Sequence, residues 1–245
     1  MKNIQQLLIS IVLIAANAPV MSELVDYRVG EELFEGYVAR ASADAPLVII
    51  LHDWDGLNAY EIKRAEMLKG EGYNVFAVDL FGKGLRPAEI EERKRMTGAL
   101  YADRQRMRSL LEGSLTAARA NGLNTEQAVA MGYCFGGSVA LELARSGTGM
   151  KGFVSFHGGL ETPEGQDYSQ VQAPILVFHG SADVIITMDA FAALGKALEQ
   201  AGVKHEMTTY SGAPHAFTMF DSERYRPQAD QKSWARFLEF LEESL

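Results

Sequence analysis

The chain reads as a single α/β domain, a mostly parallel sheet covered by helices on both faces. Three observations carry that reading. Short apolar runs alternate with amphipathic stretches along nearly the whole length, the pattern of strands joined by helical crossovers. Several of the runs are apolar throughout rather than alternating, as strands buried on both faces require. The 245 residues, 47% hydrophobic and 22% charged, suit one large globular domain that fills its core without disulfides or metals.

The elements follow in order. Pro46–Leu51 is a buried-strand run, and Tyr60–Gly70 an amphipathic helix closed near Gly70 or Gly72. Tyr73–Val78 is a second strand, and a long stretch from Ala88 to Asn121 reads as one or two helices. Ala128–Met131 is a strand that passes directly into a helix reaching Arg145. Gly152–Phe156 and Pro174–Phe178 are strands, Met188–Ala201 a helix closed by Gly202, Val203–Tyr210 an alternating strand and Gln228–Leu245 the last helix. In such sheets ligands bind beyond the carboxyl ends of the strands, so the chemistry belongs in the segments that follow each apolar run.

The beginning differs. Lys2 precedes the apolar run Leu7–Ala16, too short to span a bilayer comfortably. Residues 1–22 read as an export signal cut after Val20-Met21-Ser22, since Pro19 disfavours the earlier small-residue site Ala16-Asn17-Ala18. The domain then runs over 23–245, with no lasting membrane insertion once the signal is removed. A start at Met21 is the alternative and would leave a cytoplasmic protein. A net charge of −9 without a basic stretch argues against nucleic acid as a partner. The lone cysteine excludes an intrachain disulfide and a thiolate cluster, and no histidine–acid spacing implies a metal or another cofactor. Oligomeric state has no sequence signature here.

Gly132-Tyr133-Cys134-Phe135-Gly136-Gly137 is the most informative stretch. It follows a strand and opens a helix, the setting of a nucleophile elbow, in which glycines let strand and helix press together around a strained turn. Cys134 would stand at a helix N-terminus, where the dipole and free N–H groups favour a thiolate. That context identifies the α/β-hydrolase fold, in which an acid and then a histidine follow the nucleophile along the chain. Asp183, in Phe178-His179-Gly180-Ser181-Ala182-Asp183, and His215, in Pro214-His215-Ala216-Phe217, satisfy that order. His215 would take the thiol proton, with Asp183 orienting the imidazole. Asp189, a competing acid, falls inside a helix. His52, His157 and His179 read as loop residues with satisfied hydrogen bonds, and His205 as solvent-facing. The oxyanion would be met by the backbone N–H groups of Phe135 and Trp54. Asp53, beside Trp54, is a carboxylate on the loop facing Cys134.

Together these residues resemble the dienelactone hydrolase family, also called carboxymethylenebutenolidases, from about Tyr37 to the C-terminus. The match rests on Leu51–Asn58, Asp79–Gly84, Gly132–Gly137, His179–Asp183 and Pro214–Phe217. The resemblance implies a hydrolase of ester or lactone bonds in small molecules, without a large cap domain or a cofactor, with Cys134, Asp183 and His215 as its triad. Two positions depart from the family pattern. A glutamate that can interact with the resting cysteine is replaced by Asp53, and Ala216–Met219 lacks the arginine that grips a substrate carboxylate. Lys83 or Arg86 would then be the anion contact. Other readings are an acyl-peptide or thioester hydrolase, a catalytically silent ligand-binding homologue, and a redox sensor without a resolving cysteine.

Overall fold

The computed structural model describes residues 21–245. The leader read in residues 1–22 therefore lies outside the described residues except for its last two. Eight strands form one sheet in the order β1-β2-β4-β3-β5-β6-β7-β8. β3 (Leu47–Leu51), β4 (Asn74–Val78), β5 (Ala128–Tyr133), β6 (Gly152–Phe156), β7 (Ile175–Gly180) and β8 (His205–Tyr210) are mutually parallel. β1 (Ser22–Val29) and β2 (Glu32–Ala39) form a hairpin that joins β4 antiparallel. This is the α/β-hydrolase architecture.

The hairpin has no clear signature in the sequence, for two physical reasons. β1 is an edge strand with one buried residue, Tyr27, so its pattern carries little hydrophobic selection. In β2 the inward position between Phe34 and Val38 is Gly36, where a Cβ would stand 2.5 Å from the Phe76 ring. A glycine demanded by the neighbouring strand looks, in sequence, like a break.

Helices α1 (Ala59–Gly70) and α6 (Pro227–Ser244) cover one face; α3 (Arg104–Ala120), α4 (Phe135–Arg145) and α5 (Met188–Ala201) cover the other. β3 feeds both layers, with Leu47, Ile49 and Leu51 packed on one side and Val48 and Ile50 on the other. β5 is asymmetric. Its small residues Ala128 and Ala130 share a core with α4, while Val129, Met131 and Tyr133 pack toward α1 and α6. Small residues let the helix that follows Cys134 lie close over its own strand.

The stretch from Ala88 to Asn121 is two helices, α2 (Ile90–Ala102) and α3. They part at Asp103, which has φ −121° and ψ 81° and caps the second helix by accepting a hydrogen bond from the Arg106 N–H. Gly202, at φ 69°, closes α5 in the left-handed region expected of a helix stop. His205 is not solvent-facing: its imidazole lies mostly covered, between the Val203 carbonyl and Glu199.

Candidate active site

Cys134 sits between β5 and α4 at φ 48° and ψ −109°, a strained conformation for a residue with a side chain. Close packing enforces it. A Cβ on Gly136 would lie 2.0 Å from the Leu51 carbonyl oxygen, and one on Gly132 2.3 Å from the Gly136 backbone. The Cys134 N–H is tied to the Phe156 carbonyl at 3.0 Å, which anchors the turn to β6.

The loop after β7 brings up Asp183. Its Oδ1 accepts hydrogen bonds from the Ile185 and Ile186 N–H groups at 2.8 and 2.9 Å, leaving Oδ2 free to face His215. The Asp183 Oδ2 to His215 Nδ1 distance is 2.8 Å, and His215 Nε2 lies 3.1 Å from Cys134 Sγ. Nδ1–H donates to the carboxylate, so the Nε2 lone pair is turned to the sulfur. Gly180 makes this crossing feasible, because a Cβ there would fall 2.2 Å from the carbonyl of Ala213, on the loop that carries His215. Burial raises the Asp183 pKa, but hydrogen bonds from His215, Ile186 and Ile185 outweigh it and hold the group below the usual carboxylate range.

Behind His215 lies a buried polar chain that sequence reasoning missed. The His157 ring stands 5.4 Å from that of His215, edge to face. His157 Nε2 pairs with Thr218 Oγ1 at 2.8 Å, Thr218 Oγ1 with the Tyr60 hydroxyl at 2.8 Å, and Arg64 Nε donates to that hydroxyl at 3.2 Å. Arg64 also donates to the Thr218 carbonyl and pairs with Asp230 on α6. Thr218, three residues past His215, is thus held from α1 and by His157, with α6 anchoring Arg64 through Asp230. His157 and His179 do not have the satisfied hydrogen bonds expected of them: Nδ1 of the first and both ring nitrogens of the second lack partners. His52 does, through the Asp53 carbonyl and the Leu80 N–H.

The loop after β3 is governed by buried carboxyl groups. Asp53 is buried, and its carboxylate faces the Cys134 thiol. Trp54 was expected to offer a free N–H; that N–H instead donates to Asp53 Oδ1 in the resting structure. The neighbouring Phe135 N–H favours the thiolate of Cys134, but by less than burial and Asp53 oppose it. Beneath the loop, the fully buried Glu61 accepts from the Asp53 and Asn58 N–H groups at 3.2 and 3.0 Å and completes a capping box on α1. Burial pushes Asp53 up to about 6 and Glu61 up to about 8. Burial, reinforced by the Asp53 charge, drives the Cys134 thiol well above its ordinary value. The helix N-terminus does not produce a resting thiolate, because desolvation and a carboxylate together outweigh it.

Cys134 and His215 open onto a cavity of about 210 Å³, walled by Trp54, Thr97, Tyr101 and Ile186 among others. The wall from α2 was invisible in sequence, since it depends on where a distant helix crosses. Lys83 and Arg86, expected as anion contacts, are not among the residues that line it. Lys83 pairs with Asp26 at the surface, and Arg86 lies 3.7 Å from both Glu35 and Asp79.

The model of the dienelactone hydrolase family matches residues 34–245. Among solved structures, one described as m3DLH is 29% identical with a TM-score of 0.85, covering 92% of this chain and 98% of its own. A dienelactone hydrolase-like promiscuous phosphotriesterase from metagenomic libraries is 26% identical with a TM-score of 0.85, covering 91% and 98%. A Bradyrhizobium sp protein provisionally named 2-oxo-3-(5-oxofuran-2-ylidene)propanoate lactonase is 26% identical over 92% of this chain and 96% of its own.

Proposed function

This chain belongs to the dienelactone hydrolase family and is a hydrolase of ester or lactone bonds; from that premise we propose a thiol mechanism with Cys134 as nucleophile, His215 as base and Asp183 as the group that orients His215. The observation that carries it is the continuous contact from Asp183 Oδ2 through His215 to Cys134 Sγ, at 2.8 and 3.1 Å. Acyl transfer needs this relay, because a protonated thiol is a poor nucleophile and the base must be in reach of its proton.

The resting site is guarded. The thiol is neutral, and the Asp53 carboxylate holds the Trp54 N–H that an oxyanion would need. A substrate carbonyl oxygen takes over that N–H, together with the N–H of Phe135, as it displaces the carboxylate. The thiol proton passes to His215 Nε2 while sulfur bonds to the carbonyl carbon. Collapse of the tetrahedral adduct breaks the C–O bond, and His215 returns the proton to the departing alkoxide. Water, deprotonated by His215, then attacks the thioester and regenerates the thiol. In a lactone the alkoxide stays tethered to the acyl group, so one open-chain hydroxy acid is released.

The test is a screen of aryl esters and lactones with wild type and Cys134→Ala. Turnover should fall on the order of 10³-fold or more in the variant. Near wild-type turnover in Cys134→Ala would make the residue structural. Binding of a lactone without turnover by the wild type would favour the silent homologue.

We further propose that the protein is exported, on the strength of the apolar run after Lys2. N-terminal sequencing of the native protein should find a chain beginning near Glu23. Recovery of an intact Met1 from a soluble cytosolic fraction would refute export.

A further inference from the structure

The loop from β7 into α5 carries the apolar run Val184-Ile185-Ile186-Thr187-Met188. Val184 is 89% exposed and Ile185 57%, the two most exposed large apolar side chains among the described residues, and Met188 is 40% exposed. Looseness does not account for this exposure. The Ala182 N–H is tied to the Ala213 carbonyl and the Asp183 N–H to the Gly180 carbonyl, while Asp183 Oδ1 holds the N–H groups of Ile185 and Ile186. The Thr187 hydroxyl then accepts from the Ala190 N–H and caps α5. Single exposed apolar residues are ordinary on a protein surface, but a contiguous exposed run on a fixed backbone marks a contact.

This lip is continuous with the catalytic cavity. Ile185 and Ile186 line that cavity together with Cys134 and His215. Asp183 couples the two parts: one carboxylate oxygen fixes the backbone of the lip, and the other pairs with His215 Nδ1. Apart from His215 and Cys134, the side chains bordering the cavity belong to aromatic, aliphatic, threonine and glycine residues. His215 Nε2 is the atom that returns a proton to the departing alkoxide, so the alcohol oxygen of the substrate must come to it. The carbonyl oxygen is committed to the N–H groups of Trp54 and Phe135. The alcohol part is therefore the half of the substrate that runs from His215 across Ile185 toward solvent.

The geometry points to Ile185 as a specificity residue, with Val184 beside it, that receives the alcohol part of the substrate and selects an apolar one. The substrate class is an ester of an alkyl or aryl alcohol, or a lactone with an alkyl chain on the carbon that bears the ring oxygen. Covering Ile185 with such a chain removes apolar surface from water on both partners, whereas a hydroxylated chain gives up its own hydrogen bonds to water for the same cover. The inference rests on the catalytic reading above and extends it to the leaving group.

The test holds the acyl group constant and varies the alcohol, comparing hexyl acetate with diethylene glycol monoacetate, whose alcohol chain is of matched length. Wild type should show the higher kcat/KM on hexyl acetate. Ile185→Ser should lower the hexyl-to-glycol ratio of kcat/KM about fivefold, mostly through KM, as expected when part of one apolar contact is lost. The change in ratio between the two proteins cancels the intrinsic reactivity of the two alcohols. Ile185→Val, which keeps most of the apolar surface, should retain most of the wild-type ratio. Equal preference in wild type, or an unchanged ratio in Ile185→Ser, overturns the inference while Cys134-dependent turnover still stands; an unchanged ratio with altered sedimentation would make the lip a contact between copies of the chain instead. If wild type turns over neither ester, the catalytic reading is the one in question. Protection of Cys134 from iodoacetamide by hexanol then reads the lip alone: slowing that Ile185→Ser removes supports it, and absent or equal slowing overturns it.

Discussion

The two loops that face each other across the nucleophile are held by different physics. The turn at Gly132–Gly137 is fixed by exclusion: backbone passes so close to backbone that no Cβ fits at Gly132 or Gly136. The loop at His52–Asn58 is fixed by buried carboxyl groups: Glu61 and Asp53 tie down the N–H groups of Asp53, Asn58 and Trp54. A sterically set turn keeps its shape at any pH at which the protein is folded. A loop held by carboxylates whose pKa values lie near neutrality changes its electrostatics within the working range.

The sharpest way to break the contrast is Gly136→Ala. The added methyl would meet the Leu51 carbonyl oxygen at 2.0 Å, and relieving that clash means lifting the start of α4 off the end of β3. The expected loss is about 4 kcal/mol or more, a large share of a typical domain's stability. Chemical denaturation measures it; a variant of near-native midpoint would show that the turn has slack.

Asp53→Asn probes the opposite loop. Removing the charge should lower the thiol pKa and speed iodoacetamide alkylation of Cys134 at neutral pH about tenfold, the effect of one pKa unit. The sign has a further consequence. Asp53 titrates at about 6, so below that pH wild type also carries a neutral group there, and the two alkylation profiles should converge. Superimposable profiles across the whole range would leave Asp53 with no part in guarding the thiol.

Glu61→Gln addresses stability. The folded-state pKa of Glu61 is raised to about 8, so the native state holds a proton that the unfolded chain releases above its ordinary value near 4.5. Stability from this group is therefore present at acidic pH and lost as pH rises toward 8, with a slope set by the difference in bound protons. Wild type should melt several degrees lower at pH 8 than at pH 5, and Glu61→Gln should flatten that dependence. An unchanged slope would show that Glu61 is already ionised when folded.

Lys83→Ala should do least. Its ion pair with Asp26 is exposed and lies away from the cavity, so KM and kcat should stay within about twofold of wild type. A large rise in KM for acidic esters would return Lys83 to the substrate site.

The sequence by itself determined the sheet's parallel core, the elbow, and the order Cys134, Asp183, His215. Each of these is written in contiguous residues. A buried strand must be apolar, a turn without room must be glycine, and the acid and base follow particular strands. The tertiary structure alone decided what depends on elements that meet only after folding. Gly36 belongs to a strand because Phe76 crosses it. Trp54 spends its N–H on Asp53 because folding buries that carboxylate away from water. His215 is braced by Thr218, Tyr60 and Arg64, from segments roughly 150 residues apart in the chain. In the folded chain Arg86 lies 3.7 Å from both Glu35 and Asp79, carboxylates 51 and 7 residues away in sequence. Which carboxylates surround an arginine is set by how the chain folds, and one-dimensional spacing does not record that.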